Sequence, residues 1–308
     1  MYPAMECFTL KTGSKSSIRR GGAGPLKSMT GKVVIVTGAN AGMGLAAVIE
    51  LAKAGAEVIM ACRSRQRGEE ARAKALAESG APHIGLMLCD LGNFESIRSF
   101  CASFAERYAR LDVLINNAGV VSLKRELTDD GYESMLGVNH LGHFLLTTEL
   151  LGLLHASPQG RIVVVSSGAY KVGHIHFDDM NLQHGFNVVK GYAQSKLANI
   201  LFTRELARRL EGSNVTVNCL HPGAVGTSLG VNRETGFGKS VYALLRPFFL
   251  TPLEGADTAL YLATSQEGGT ASGNYYYKKK RQNLSGRAID NEAAKRLWRW
   301  SEEQTRKL

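Results

Sequence analysis

The chain has 308 residues, 44% of them apolar and 21% charged, enough to bury a sizeable core in one large domain or at most two. That composition excludes disorder, collagen and a small disulfide scaffold. No stretch of about 18 consecutive apolar residues offers a bilayer-spanning helix. The net charge of +10 sits in residues 1–30 and 274–308, while the body between them sums to zero. A neutral body argues against a nucleic-acid-binding fold; basic ends suit plain solvation or peripheral contact with an anionic membrane surface.

Residues 1–30 are rich in Ser, Gly, Lys and Arg and lack an apolar signal run, so they read as a flexible basic extension, with an organelle transit segment left open. From residue 31 the chain alternates between apolar runs and helical patterns. Strands are expected at Val33–Val36, Glu57–Ala61, Ile84–Leu88, Val113–Ile115, Ile162–Val165 and Val215–Leu220, with a seventh near Tyr275–Tyr277. Helices are expected over Met43–Ala54, Arg65–Ser79, Phe94–Tyr108, Val138–Leu154 and Tyr192–Arg209, and around Arg296–Glu302. Continuous apolar strands mean burial on both faces, and strand–helix alternation means right-handed βαβ units. The expected fold is α/β, a doubly wound parallel sheet of about seven strands with helices on both faces, in a single domain over residues 31–308. Ligands bind such sheets at the carboxyl ends of the strands. Of five cysteines, Cys62, Cys89 and Cys219 lie in strand-like runs as small hydrophobes. No C-x-x-C or zinc spacing appears, so a reducing compartment and no metal are expected.

The first strand runs into Thr37-Gly38-Ala39-Asn40-Ala41-Gly42-Met43-Gly44, and a helix follows at once. Gly38 allows the tight turn, Gly42 lets the backbone approach a pyrophosphate, and Gly44 lets helix and sheet pack closely. The helix N-terminus then offers free N–H groups to the phosphate. The T-G-x-x-x-G-x-G spacing resembles the short-chain dehydrogenase/reductase family over about residues 30–270. Further pieces match in order: Asp90-Leu91 after strand three, Asn116-Asn117-Ala118-Gly119 after strand four, and Asn139 in the next helix. Ser166-Ser167 ends strand five, Tyr192-x-x-x-Lys196 follows, and Pro222-Gly223 comes after strand six.

The resemblance implies a Rossmann-type fold and a nicotinamide cofactor. Its contacts would come from Gly38, Asn40, Ala41, Gly42, Met43, Gly44, Arg63, Ser64, Asp90, Leu91, Asn117, Ala118, Gly119, Tyr192, Lys196, Pro222, Gly223, Val225 and Thr227. After the second strand stands Cys62-Arg63-Ser64-Arg65, with no acid before Glu69. An acid there would favour NAD, whereas the Arg63 fork suits a 2′-phosphate, so NADP(H) is expected. Arg65 or Arg67 would add charge.

The implied catalytic group is Asn139, Ser167, Tyr192 and Lys196. Tyr192 and Lys196 share one helix face. Tyr192 is the expected proton donor, its pKa lowered by the Lys196 ammonium and by the positive charge of the nicotinamide. Ser167 holds the substrate oxygen, Lys196 the ribose, and Asn139 a relay water. Ser166 should point to the other face because strand side chains alternate. The long stretch between Ser167 and Tyr192 and the segments Ala61–Arg63, Asn139–Phe144 and Ser195–Phe202 resemble the retinol dehydrogenase-like subgroup. That implies a lipophilic aldehyde or ketone, with a steroid, a quinone or a polyketide intermediate as the alternative, and a non-catalytic NADP-binding scaffold behind these. His174, His176 and His184 in the inserted loop read as surface residues. A lid is expected over about residues 228–252. Homodimer or homotetramer formation through Val138–Leu154 and Tyr192–Arg209 is what the family implies. A cytoplasmic or organelle-soluble location is expected.

Overall fold

The β-branched run Val34-Ile35-Val36 is entirely buried: Ile35 joins the core on one face of the sheet, Val34 and Val36 the core on the other. The structure is a computed structural model and describes residues 26–223 and 250–306. The strands are β1 (Val33–Thr37), β2 (Glu57–Cys62), β3 (Gly85–Leu88), β4 (Val113–Asn116), β5 (Gly160–Val165), β6 (Val215–His221), β7 (Tyr275–Tyr277) and β8 (Lys280–Gln282). They form one sheet in the order β3-β2-β1-β4-β5-β6-β7-β8. All pairs are parallel except β7 with β8. The order reverses between β1 and β4, and that switch point opens a crevice at the carboxyl ends of the strands.

The helices are α1 (Gly42–Lys53), α2 (Arg65–Ser79), α3 (Phe94–Ala105), α4 (Ser134–Leu136), α5 (Gly142–His155), α6 (Val188–Arg209), α7 (Pro252–Thr264), α8 (Gln266–Thr270) and α9 (Asn291–Thr305). One face of the sheet carries α3, α5, α6 and α9 around Phe100, Leu146, Leu201 and Trp298. The other carries α1, α2 and α7 around Val48, Leu51, Ala71 and Leu260.

Besides helices α7 and α8, which were not among the expected elements, three features depart from them. The helix expected over Val138–Leu154 begins at Ser134 and contains a π-turn, Gly137–Leu141, that carries Asn139. The helix bearing Tyr192 begins a turn earlier, at Val188, where the Asn187 side chain accepts the Lys190 N–H as its cap. An eighth strand, Lys280–Gln282, closes the sheet edge as an antiparallel hairpin with β7. Its three residues are exposed and polar, so no hydrophobic pattern announces it. The expected lid lies almost wholly outside the described residues, as do most of the basic N-terminal extension and the site candidates Val225 and Thr227. Among the described residues no helix is long and apolar enough to cross a membrane, and no group of residues could hold a metal ion.

Candidate active site

Where β1 ends, Gly38 takes a left-handed φ of 62°. A Cβ there would stand 2.9 Å from Ala118 Cα, so glycine is required both for the turn and for the close approach of the β4 loop. Gly44 packs its bare Cα against the Gly38 carbonyl and the Asn117 amide, which lets α1 lie tight on the sheet. Helix α1 starts after Ala41, which makes no side-chain cap, so its first-turn N–H groups are left for a ligand.

These residues form one end of a cleft of about 580 Å³. Its walls bring together thirteen of the expected cofactor residues: Gly38, Asn40, Ala41, Gly42, Met43, Gly44, Arg63, Ser64, Asp90, Leu91, Asn117, Ala118 and Gly119. Arg67 lines the cleft as well, whereas Arg65 does not. No carboxylate stands at the end of β2. Arg63 instead lies over the cleft with its Nε 3.9 Å from Asp90 Oδ2, its side chain mostly exposed. Ser64 caps α2 by accepting the Arg67 N–H.

The second group of candidates lies where β5 and β6 end against α6. Lys196 is buried, and its ammonium donates to the Val165 carbonyl at 3.2 Å. Burial holds its pKa at about 8, below the usual lysine value. Its Nζ is 5.6 Å from the centre of the Tyr192 ring. For Tyr192, burial raises the phenol pKa, and a hydrogen bond with the Ser167 hydroxyl opposes it. Without the nicotinamide charge that the expected lowering draws on, desolvation outweighs the Ser167 hydrogen bond and the Tyr192 phenol pKa lies above its ordinary value. Ser166 also contacts α6, the helix that carries Tyr192, and donates to the Lys196 backbone carbonyl at 2.8 Å. Gly223 donates its N–H to His221 Nδ1, and the His221 ring stacks on Tyr277. Pro222 and Gly223 thus sit at the end of β6, outside the walls of the cleft.

Asn139 is fully buried, and its side chain is occupied. Its Oδ1 accepts the Val120 N–H at 2.8 Å, and its Nδ2 donates to the Val120 carbonyl and to Ser195 Oγ. Ser195 Oγ donates in turn to the Tyr192 carbonyl. Asn139 thus clamps the loop after Gly119 to the start of α6. Sequence reasoning missed Ser195, and also Asn199, whose amide donates to the same Val165 carbonyl as Lys196. It missed the role of Thr37, whose hydroxyl oxygen accepts the Asn117 and Ala118 N–H groups at 2.9 Å each. The i+4 spacing of Asn199 and Thr203 from Ser195 and Asn199 marks a polar stripe on α6, which was the available signal.

The inserted loop keeps His174 and His184 exposed, as expected of surface residues, whereas His176 is half-buried and burial lowers its pKa. Cys62, Cys89, Cys101 and Cys219 are free and buried, and burial pushes each thiol pKa up. The helix faces expected to pair between subunits are partly covered by the chain itself. Trp298 of α9 lies 4.9 Å from Phe144 of α5 and 6.0 Å from Phe202 of α6, ring centre to ring centre.

Comparison with known proteins agrees with this geometry. The family model for short chain dehydrogenases matches residues 32–236. Human retinol dehydrogenase 14 is 49% identical over 300 residues, covering 92% of this chain and 89% of that protein. Human retinol dehydrogenase 13 is 46% identical over 286 residues, covering 90% and 86%. Among solved structures, an uncharacterised protein from Mycobacterium paratuberculosis superposes with a TM-score of 0.72 at 34% identity, covering 91% of this chain and 95% of that one. Pseudomonas aeruginosa RhlG, solved with NADP, superposes with a TM-score of 0.65 at 25% identity, covering 82% and 96%. The chain belongs to the short-chain dehydrogenase family and is an oxidoreductase of its retinol dehydrogenase-like kind.

Proposed function

We propose that this protein transfers hydride between NADPH and a lipophilic aldehyde or ketone of the retinal type, with Tyr192 as the proton donor. The observation that carries the reading is the meeting of Ser167, Tyr192 and Lys196 where β5 ends against α6, in a fold whose β1, β2 and β4 end at a cleft of about 580 Å³. Preference for NADP(H) rests on Arg63, Ser64 and Arg67 rimming that cleft where an NAD-selective site would place an acid. The name of the retinol dehydrogenase relatives supports the substrate class. So do Val172 and Val189, exposed apolar residues a few positions along the chain from Ser167 and Tyr192.

The residues present fit the cofactor: uncapped N–H groups for the pyrophosphate, a guanidinium for the 2′-phosphate, and a buried lysine near the tyrosine. NADPH, when bound, supplies the hydride. Tyr192, whose burial favours the protonated phenol, gives its proton to the substrate oxygen as negative charge develops there. Ser167 donates a hydrogen bond to that oxygen and holds it in line with the phenol. Lys196, as an ammonium, stabilises the tyrosinate left behind.

NADPH consumption against all-trans-retinal, medium-chain aldehydes, a steroid ketone and a quinone, with NADH in parallel, tests the reading. Retinal and long aldehydes should turn over with NADPH, whereas turnover of only the steroid or the quinone would transfer the reading to another carbonyl. Tyr192→Phe should lose about 10²- to 10⁴-fold in kcat, the range of a positioned general acid, while NADPH still binds. Survival of activity within a few-fold would remove Tyr192 from the donor role.

A further inference from the structure

His143 lies on the first turn of α5, four residues after Asn139, and is fully buried. Its Nδ1 is 3.1 Å from the Asn139 backbone carbonyl, and its Nε2 is 2.9 Å from Thr37 Oγ1. A carbonyl can only accept, so Nδ1 carries the proton. Burial holds the ring pKa down at about 4, and the Lys196 ammonium works in the same direction, so the ring is neutral near pH 7. Nε2 is then a bare acceptor, and the Thr37 hydroxyl donates to it. Thr37 has one proton to give, and the alternative acceptor, the Ile115 carbonyl, is farther away at 3.3 Å. Both remaining lone pairs of Thr37 Oγ1 take the N–H groups of Asn117 and Ala118.

The bonds close a ring. Thr37 holds Asn117 and Ala118; two residues on, Val120 is gripped by both ends of the Asn139 amide; the Asn139 carbonyl accepts from His143; and His143 returns to Thr37. His143 is the link that joins the phosphate-binding turn to the π-turn. We propose that His143 is a positioning residue. It locks Thr37 of the cofactor turn and the Asn139 carbonyl into one rigid unit, so that cofactor affinity and proton delivery to Lys196 depend on the same imidazole. The Asn139 carbonyl is thereby held by the His143 ring within the π-turn. This inference rests on the proposed reductase reading for its catalytic half, but its tautomer and cofactor-binding halves stand without a substrate.

Three measurements test it. Long-range ¹⁵N–¹H correlation on the full chain should show His143 as the Nδ1–H tautomer, the rarer one, with no titration down to about pH 5. The charged and titratable groups facing it are Lys196 and His140, and His140 is itself held neutral by burial. His143→Asn keeps a donor for the Asn139 carbonyl and loses Thr37; His143→Gln reaches Thr37 and loses the carbonyl. His143→Asn should weaken NADPH binding by about tenfold, read by fluorescence, with the pH profile of kcat retained. His143→Gln should hold NADPH affinity within about twofold and lower kcat about tenfold with a displaced pH profile. An Nε2–H tautomer, or equal losses in both variants that follow their melting temperatures, would overturn the assignment. A substrate panel that stays silent while the tautomer and the NADPH effects appear would reject the reductase reading alone.

Discussion

Lys196 is a cation held where the interior resists one. Its folded pKa of about 8 lies below the unfolded value near 10.5, so the unfolded chain binds more protons between those two points. Stability therefore rises with pH across that window, and the penalty is fully present below it. Lys196→Met keeps the volume and removes the charge, and the Val165 carbonyl keeps its bond from Asn199. The variant should be more stable than the parent by about 1–3 kcal/mol near pH 7, with the gap closing as pH approaches about 10, and it should be inactive. Urea melts at the two pH values check this; a variant less stable near neutrality would contradict it. Arg63 is the corresponding residue at the other end of the cleft. It is paired only loosely with Asp90 across 3.9 Å of accessible surface, so its fork is free to turn to a phosphate. Arg63→Asp should weaken NADPH binding by about 1–3 kcal/mol, the range of a charge-assisted bond, and leave NADH binding nearly unchanged. Titration with the two cofactors side by side reads the difference. Equal losses for both would mean that Arg63 holds the adenosine rather than the 2′-phosphate.

At the scale of elements, the end of the sheet away from the site is fastened by one carboxylate. Asp112, just before β4, is 1% exposed and accepts from Val33 N–H, Lys32, Arg110 and Ser157. Burial alone would raise its pKa, but those four donors win and hold it below the usual value. Its contribution is complete above the ordinary carboxylate pKa and is lost as pH falls through the folded one. Asp112→Asn should cost about 2–4 kcal/mol near neutrality and progressively less in acid, a convergence that thermal melts across pH would show. Nothing in the sequence marks Asp112, because three of its four donors, Lys32, Val33 and Ser157, lie 45 to 80 residues away along the chain. The strands were legible for the opposite reason: runs such as Ile162–Val165 are apolar on consecutive residues and need no partner to be recognised. The glycine turn and the Tyr192-x-x-x-Lys196 pair were legible because their spacing is local, whereas Asn139 and Ser167 were named through the family resemblance. Helices α7 and α8 were not legible, since Pro252–Thr264 buries mainly small residues such as Gly255, Ala256, Thr258 and Ala259, which give a weak periodic signal. Nor was the direction of the Tyr192 shift, because burial is a property of the assembled site and not of the motif.

The whole molecule is closed by its last described helix, and that closure bears on self-association. Trp298 packs against both Phe144 and Phe202, which also touch each other, and the Arg209 guanidinium lies 4.2 Å above its ring. Ser301 bonds His140 inside the π-turn, and the Thr305 carbonyl accepts from Arg98 of α3. Helix α9 therefore covers apolar surface on both α5 and α6, and braces the segment that carries Asn139. Surface already buried within one chain is not available to a second copy, so the α9-covered part of this face should not join subunits in the native protein. Trp298→Ala opens a cavity beside two aromatic rings and should cost about 3–5 kcal/mol. It also bares Phe144 and Phe202, and a newly exposed apolar patch drives association. Melting with light scattering over a range of concentrations should show a lower Tm together with a higher apparent mass than the parent. A parent-like mass and Tm would mean that α9 is an appendage, and that the α5–α6 face is closed by something else.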